Sequence, residues 1–334
     1  MTSPSKANRR LAATALLVFA SLFALPASAQ SQASTPALPL RLVVGFPPGG
    51  ALDLLARSVA EQLRAGGEEQ VLVENKPGAS TRISIDYVRT APANGRTVLL
   101  SSNAPLILFP MTYRSLNYDV DRDFIAVAHL AEVPTVVSTA ANRPYRTLPD
   151  YIAWARANPT QANIGLTSLG GALHFAVIGM GRELGLPFTP IPYKGGAPLA
   201  TDLVGGQVSL STDALGSQLE LHRSGKLRIL AVSGLARNPA LPDVPTVHES
   251  GIKAFDHANA AYGAYVAAGT PPEVVRKLEA ALMAAVRNPQ VKDVLGRAGL
   301  GATGLPGKDL RRVLDEERRF WRPIVQASGF RSED

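Results

Sequence analysis

Short apolar runs and amphipathic stretches alternate along this chain, beginning at Leu42. Leu42, Val43 and Val44 form a run that reads as a buried strand. Pro47, Pro48, Gly49 and Gly50 end it, since proline cannot donate to a ladder and glycine tolerates strained turns. Leu52, Leu55, Ala56, Val59, Ala60 and Leu63 then recur on one face of a helix. Residues 71–75 read as a second strand, 76–79 as its exit turn, 83–89 as a helix and 97–100 as a third strand. Strands alternating with helices predict a parallel sheet, whose ligands bind outside the carboxyl ends of the strands. The loop 46–53, the turn 78–82 and Ser101, Ser102 and Asn103 share that edge.

Further on, the apolar stretch 124–137, with Pro134 inside it, carries the chain out of this first unit. A helix from 148 has Pro149 in its first turn, and 163–165 is a short strand. Thr167, Ser168, Leu169, Gly170 and Gly171 lead from it into a helix over about 173–184. This is a second strand–glycine loop–helix unit. A helix near 214–222 precedes a returning strand, 227–232. The strand 264–267 rejoins the first sheet, and helices follow from Pro271-Pro272, from Pro289 with Asn288 as its cap, and over 310–327. The expected organisation is an export segment (1–29), one lobe of 30–137 plus 234–334, and a second lobe of 138–233.

The export segment has Lys6, Arg9 and Arg10, an apolar core from Leu11 to Leu25, and the small-residue cleavage site Ala27-Ser28-Ala29. Its core is too short for a membrane anchor, so the mature chain is expected in the periplasm after cleavage near Ala29. The formal net charge of +7 includes those three cations and no acid of that segment, which leaves +4. The charges are spread, without an arginine stripe or aromatic platform, so nucleic acid is not an expected partner. The chain has no cysteine, which excludes disulfides, thiolate catalysis and Cys-type zinc sites. Neither cofactor nor metal is expected, and the protein is expected to be a monomer.

Candidate chemistry gathers at the glycine loops. Around Gly49, Gly50, Ala51 and Leu52, backbone free of bulky side chains meets a helix N-terminus, which attracts anions. No Gly-Lys-Ser/Thr marks a P-loop. Asp53 is either a capping group or a contact through an amine or water. Asp213 is either a helix cap or a ligand contact, and His174 lacks partners at metal-ligand spacing. Ser102, His174 and Asp213 form a triad in name only, since no G-x-S-x-G elbow surrounds Ser102. The chain is therefore read as a binding protein and not an enzyme.

The blocks Val44-Gly-Phe-Pro-Pro-Gly-Gly50 with Asp53, Val73-Glu-Asn-Lys-Pro-Gly-Ala79, Pro192-Tyr-Lys-Gly195, Leu203-Val-Gly-Gly-Gln207, Gly225-Lys-Leu-Arg228, Leu241-Pro-Asp-Val-Pro-Thr246 and Ala268-Gly-Thr-Pro-Pro272 stand in order. In these the chain resembles tripartite tricarboxylate transporter receptors, the Bug family of periplasmic solute-binding proteins. The resemblance implies a two-lobe α/β periplasmic binding protein fold (type II-like), with two crossing segments and a carboxylate held between lobes that close on it. It also implies membrane transporter subunits as partners, with a sensing role or a ligand-free adaptor as alternatives. The implied ligand positions are Phe46, Gly49, Gly50, Ala51, Leu52, Asp53, Ser80, Arg82, Ser102, Asn103, Thr167, Ser168, Gly171 and Asp213. Leu52 replaces the family's Thr or Ser, and Ser80-Thr81-Arg82 replaces Gly-Gly-Asn. Leu169, Gly171, Ala172 and Leu173 fill positions that usually offer hydroxyls or amides. These departures predict an acid with an apolar body, with Arg82 as an added carboxylate fork.

Overall fold

In the computed structural model, which describes residues 38–332 except Glu69 and Ser168, two mixed sheets are joined by short crossings. The expected export segment lies outside the described residues. The first sheet opens with β1 (Leu40–Val44), whose burial on both faces explains its uninterrupted apolar run. Helix α1 (Ala51–Ala65) lays Leu55, Ala56 and Val59 on it, all fully buried. Then follow β2 (Val71–Asn75), a single 3₁₀ turn (Ala79–Thr81), α2 (Arg82–Arg89) and β3 (Thr97–Ser102). Three one-turn helices, α3 (Ala104–Ile107), α4 (Phe109–Thr112) and α5 (Val120–Asp123), lead to β4 (Phe124–Val133).

Pro134 separates β4 from β5 (Thr135–Ala140), and there the chain changes sheets. The second sheet is completed through α6 (Leu148–Ala157), β6 (Asn163–Leu166), α7 (Ala172–Leu184), β7 (Thr189–Pro192), α8 (Gly196–Val204), β8 (Leu210–Ala214), α9 (Leu215–Arg223) and β9 (Leu227–Val232). The first sheet is then finished by β10 (Ala260–Ala267), α10 (Pro272–Arg287), α11 (Pro289–Arg297), β11 (Gly301–Pro306) and α12 (Gly307–Ser328). No helix among the described residues is long and apolar enough to cross a membrane.

The strand orders are β11-β4-β10-β3-β1-β2 and β7-β6-β8-β5-β9. Only β2-β1-β3 and β7-β6-β8 run parallel. The three strands expected to be parallel are so, and β10, for which no direction was read, runs antiparallel to both β3 and β4. Several elements escape the periodicity, among them the one-turn helices α3 to α5 and strands β7 and β8. Edge strand β11, Gly-Ala-Thr-Gly-Leu-Pro, has too little apolar alternation to read, and α8 hides behind Gly-Ala-Pro.

The stretch 234–258, grouped with the first lobe by its sequence, hydrogen-bonds to the second. Val247 N donates to Val232 O at 2.9 Å, and Lys253 N to Glu183 Oε2 at 2.8 Å. A Cβ on Gly179 of α7 would stand 2.9 Å from the Ala254 Cβ. The chain rejoins the first sheet at Ala260. Asn259 binds both crossings, its Oδ1 accepting from Thr135 N at 3.0 Å and from Ser233 Oγ at 2.8 Å. Helix α12 packs on β4 with Leu310, Leu314 and Trp321 buried, and its far end meets α7, where Arg182 donates to the Ala327 carbonyl.

Candidate functional site

A cavity of about 550 Å³ opens where the two sheets meet, at the carboxyl ends of β1, β3 and β6. The crossings supply its floor, Val133, Thr135, Ala258 and Ala260. One wall carries Phe46, Ser80, Thr81, Ser102 and Asn103; the other carries Thr167, Leu169, Gly171, Leu173 and Asp213.

The first wall rests on a strained turn. Ala79, Ser80 and Thr81 have φ of 46°, 53° and 74°, the left-handed region that side chains avoid. Such conformations cost about 1–3 kcal/mol each and persist where their surroundings hold them. Here Gly45 holds them: a Cβ there would stand 2.5 Å from Ser84 Oγ and 2.7 Å from Thr81 Cβ. The turn buries Thr81 against the cavity, where its Oγ1 has no hydrogen-bond partner. Thr81 is a residue the sequence reading passed over. Its signal was the replacement of Gly-Gly-Asn by Ser80-Thr81-Arg82, of which only Ser80 and Arg82 are expected as ligand positions.

The proline–glycine loop stands off this cavity. Gly49 (φ 88°) donates its N–H to Asp53 Oδ2 at 2.9 Å, Arg57 Nε donates to the same oxygen at 2.9 Å, and Asn75 Nδ2 donates to Oδ1 at 2.9 Å. The guanidinium of Arg57, with these amides, holds the Asp53 carboxyl down at about 2. Asp53 is buried and saturated, a tie for the loop. Gly50 and Ala51 are exposed beside it, and Gly50 caps α1 with backbone alone. Leu52 is buried in the core beneath α1, so it removes no donor from the cavity. Arg82 stacks its guanidinium 4.6 Å from the Tyr113 ring and donates to the Ala79 carbonyl; it stands behind the wall that Tyr113 lines.

On the opposite wall Gly171 is the N-cap of α7 and offers no side-chain cap, so the first-turn amides of a 13-residue helix open toward the cavity. Asp213 lies in β8 and is not a helix cap. It accepts from Thr167 Oγ1 at 2.8 Å and Ser217 Oγ at 2.6 Å, joining the α7 loop to α9. Ser168 is outside the described residues. His174 Nδ1 accepts from Gly170 N at 3.2 Å and its ring packs on Phe175 and Phe330. No hydrogen bond joins Ser102, His174 and Asp213 among the described residues, and no group of three metal-ligating side chains occurs among them.

Behind the first wall, Asn103 contacts a buried acid: its side-chain nitrogen stands 2.6 Å from Glu317 Oε2 on α12. Burial pushes the Glu317 carboxyl up to about 8, opposed by the Asn103 hydrogen bond and reinforced by the Glu132 charge. Sequence spacing does not single out this contact, since Glu317 stands in α12 among Arg311, Arg312, Glu316, Arg318 and Arg319.

A model of the tripartite tricarboxylate transporter family receptor matches residues 55–330. BugT of Bordetella pertussis is 30% identical over 323 residues, covering 96% of this chain and 98% of its own. A solved R. palustris protein with adipate superposes at a TM-score of 0.76 with 30% identity, over 88% of this chain and 98% of that one. MatC from Rhodopseudomonas palustris with bound malate superposes at 0.72 with 26% identity, over 87% and 100%.

Proposed function

The chain belongs to the tripartite tricarboxylate transporter receptor family, and from that premise we propose that it captures a small carboxylate between its lobes and presents it to a membrane transporter. The observation that carries this reading is the cavity at the sheet junction, into which the uncapped first turn of α7 opens. Backbone N–H groups there suit a carboxylate, through charge-assisted hydrogen bonds that need no reorganisation. At the other end Ser80, Thr81, Ser102 and Asn103 offer polar groups. Among these polar groups the lining is apolar, with Phe46, Phe109, Tyr113, Val133, Leu169 and Leu173. A ligand hydroxyl set against those side chains would be buried unpaired, at roughly 1–3 kcal/mol. The preferred acid therefore has an apolar body, so adipate binds more tightly than malate.

The lobes meet at two crossings, Pro134 and residues 259–260, and close about them. Closure brings the exposed loop at Gly49, Gly50 and Ala51 toward the cavity mouth. The protein acts by binding and not by turnover, as a monomer, in the periplasm after cleavage near Ala29. The test is thermal melting with adipate, malate and the diamine putrescine. A ligand at a hundred times its Kd stabilises by about 2.7 kcal/mol, so adipate raises Tm most, malate less and putrescine not at all. A shift with putrescine alone overturns the reading.

A further inference from the structure

We propose that Glu317 is a positioning residue for the ligand site: it donates a carboxyl proton to Asn103 Oδ1, and thereby turns the amide's N–H toward the cleft. The inference rests on the carboxylate reading above and deepens it. Asn103 lines the cavity and touches Glu317 of the buried cluster behind it. It is 4% exposed and Glu317 is 5% exposed, so neither group exchanges its partner for solvent. Their 2.6 Å contact is shorter than the usual N–H···O bond and falls in the O–H···O range. An amide reverses its donor and acceptor by a half-turn about its last side-chain bond. With Glu317 ionised, its oxygen takes the Nδ2–H and leaves Oδ1, an acceptor, facing the cavity. With Glu317 protonated, the O–H takes Oδ1 and leaves Nδ2–H, the end that suits a carboxylate.

The surroundings favour the proton. From β4, His129 and Glu132 face the small cavity of about 320 Å³ that Glu317 lines, and from the loop before β10 so do Asp256 and His257. Both histidines are pushed down by burial, so neither supplies a cation. Glu316 on α12 adds a like charge, and Arg318 on the same helix pairs with Asp121 and Asp315. The Tyr265 hydroxyl of β10 is fully buried without a partner. Burial leaves the Glu317 carboxyl titrating at about 8, within reach of ordinary conditions. A carboxylate ligand favours the protonated form, so its binding takes up a proton as pH rises past that value.

The experiment has two arms, on the mature chain. Without ligand, carbon NMR of protein labelled at glutamate Cδ follows titration from pH 5 to 10. One resonance titrates near 8 and is missing in Glu317→Gln; should that variant not fold, Asn103→Ala assigns the resonance by shifting it. With adipate, wild-type affinity falls up to about tenfold between pH 7 and 9, the limit for one linked proton. Glu317→Gln, whose amide donates permanently to Asn103, keeps the pH 7 affinity and shows a flat profile. Titration of Glu317 below pH 6, or an equal loss of affinity in the variant, overturns the proposal. If adipate binds neither protein, the carboxylate reading fails for this acid, and the NMR arm alone decides whether Glu317 holds the proton.

Discussion

Asp53 shows how a residue beside a ligand site can serve it without touching the ligand. Its two oxygens hold Gly49, Arg57 and Asn75. Asp53→Ala leaves those donors unpaired and costs about 1–3 kcal/mol, measured by urea unfolding, and weakens adipate binding by loosening the loop. Because the folded-state value near 2 lies below the ordinary 3.8, the Asp53 contribution is complete above 3.8 and lost as pH falls toward 2. Glu317 has the opposite sign. Its value near 8 lies above the ordinary 4.5, so its contribution is complete below 4.5 and lost as pH rises through 8. Glu317→Gln should therefore flatten the decline in Tm between about pH 4.5 and 8. The turn at Ser80 gives a third test: Ser80→Gly relieves a left-handed φ at an exposed position and raises stability by roughly 1 kcal/mol. From sequence, Asp53 was legible as a helix-start acid. Its bond to Asn75 was not, because that pairing forms only once β1 and β2 lie side by side.

Among the elements, those with regular periodicity were readable and those defined by their neighbours were not. Helix α1 announces itself through Leu52, Leu55, Ala56 and Val59, and α11 through the Asn288 cap and Pro289, confirmed by Asn288 Oδ1 accepting from Gln290 N. Edge strand β11 exists because β4 offers it an open ladder, which local composition does not record. The glycine loops were located by punctuation. Their distance from the cavity depends on how β1, α1 and the 3₁₀ turn pack, and Leu52 fell on the core side for that reason. The packing itself is testable at Gly45. Gly45→Ala forces a methyl against Ser84 and Thr81 and should cost roughly 1–3 kcal/mol as overpacking. It should also weaken adipate binding, since it shifts the cavity wall, whereas Gly251→Ala, remote from the cavity, strains a turn without changing affinity.

At the scale of the whole molecule, the lobes are tied at the crossings and again where α12 meets α7. Asn259 in the second crossing bonds to Thr135 beside the first and to Ser233 after β9, and residues of both crossings line the cavity floor, so ligand contact and lobe geometry share the same place. Asn259→Ala removes the shared acceptor. It should broaden the range of lobe arrangements seen by solution scattering, while wild type contracts when adipate is added. Two lobes and two crossings could be anticipated from the order of strand–loop–helix units. The second crossing could not be placed, because 234–258 is irregular chain whose allegiance to the second lobe depends on contacts with β9 and α7. The central claim, capture of an acid with an apolar body in the junction cavity, is tested most directly by calorimetric titration of the mature chain with adipate and then malate at pH 7. Saturable one-to-one binding of adipate, with malate weaker, is the predicted result; binding of malate more tightly than adipate, or of neither acid, would contradict it.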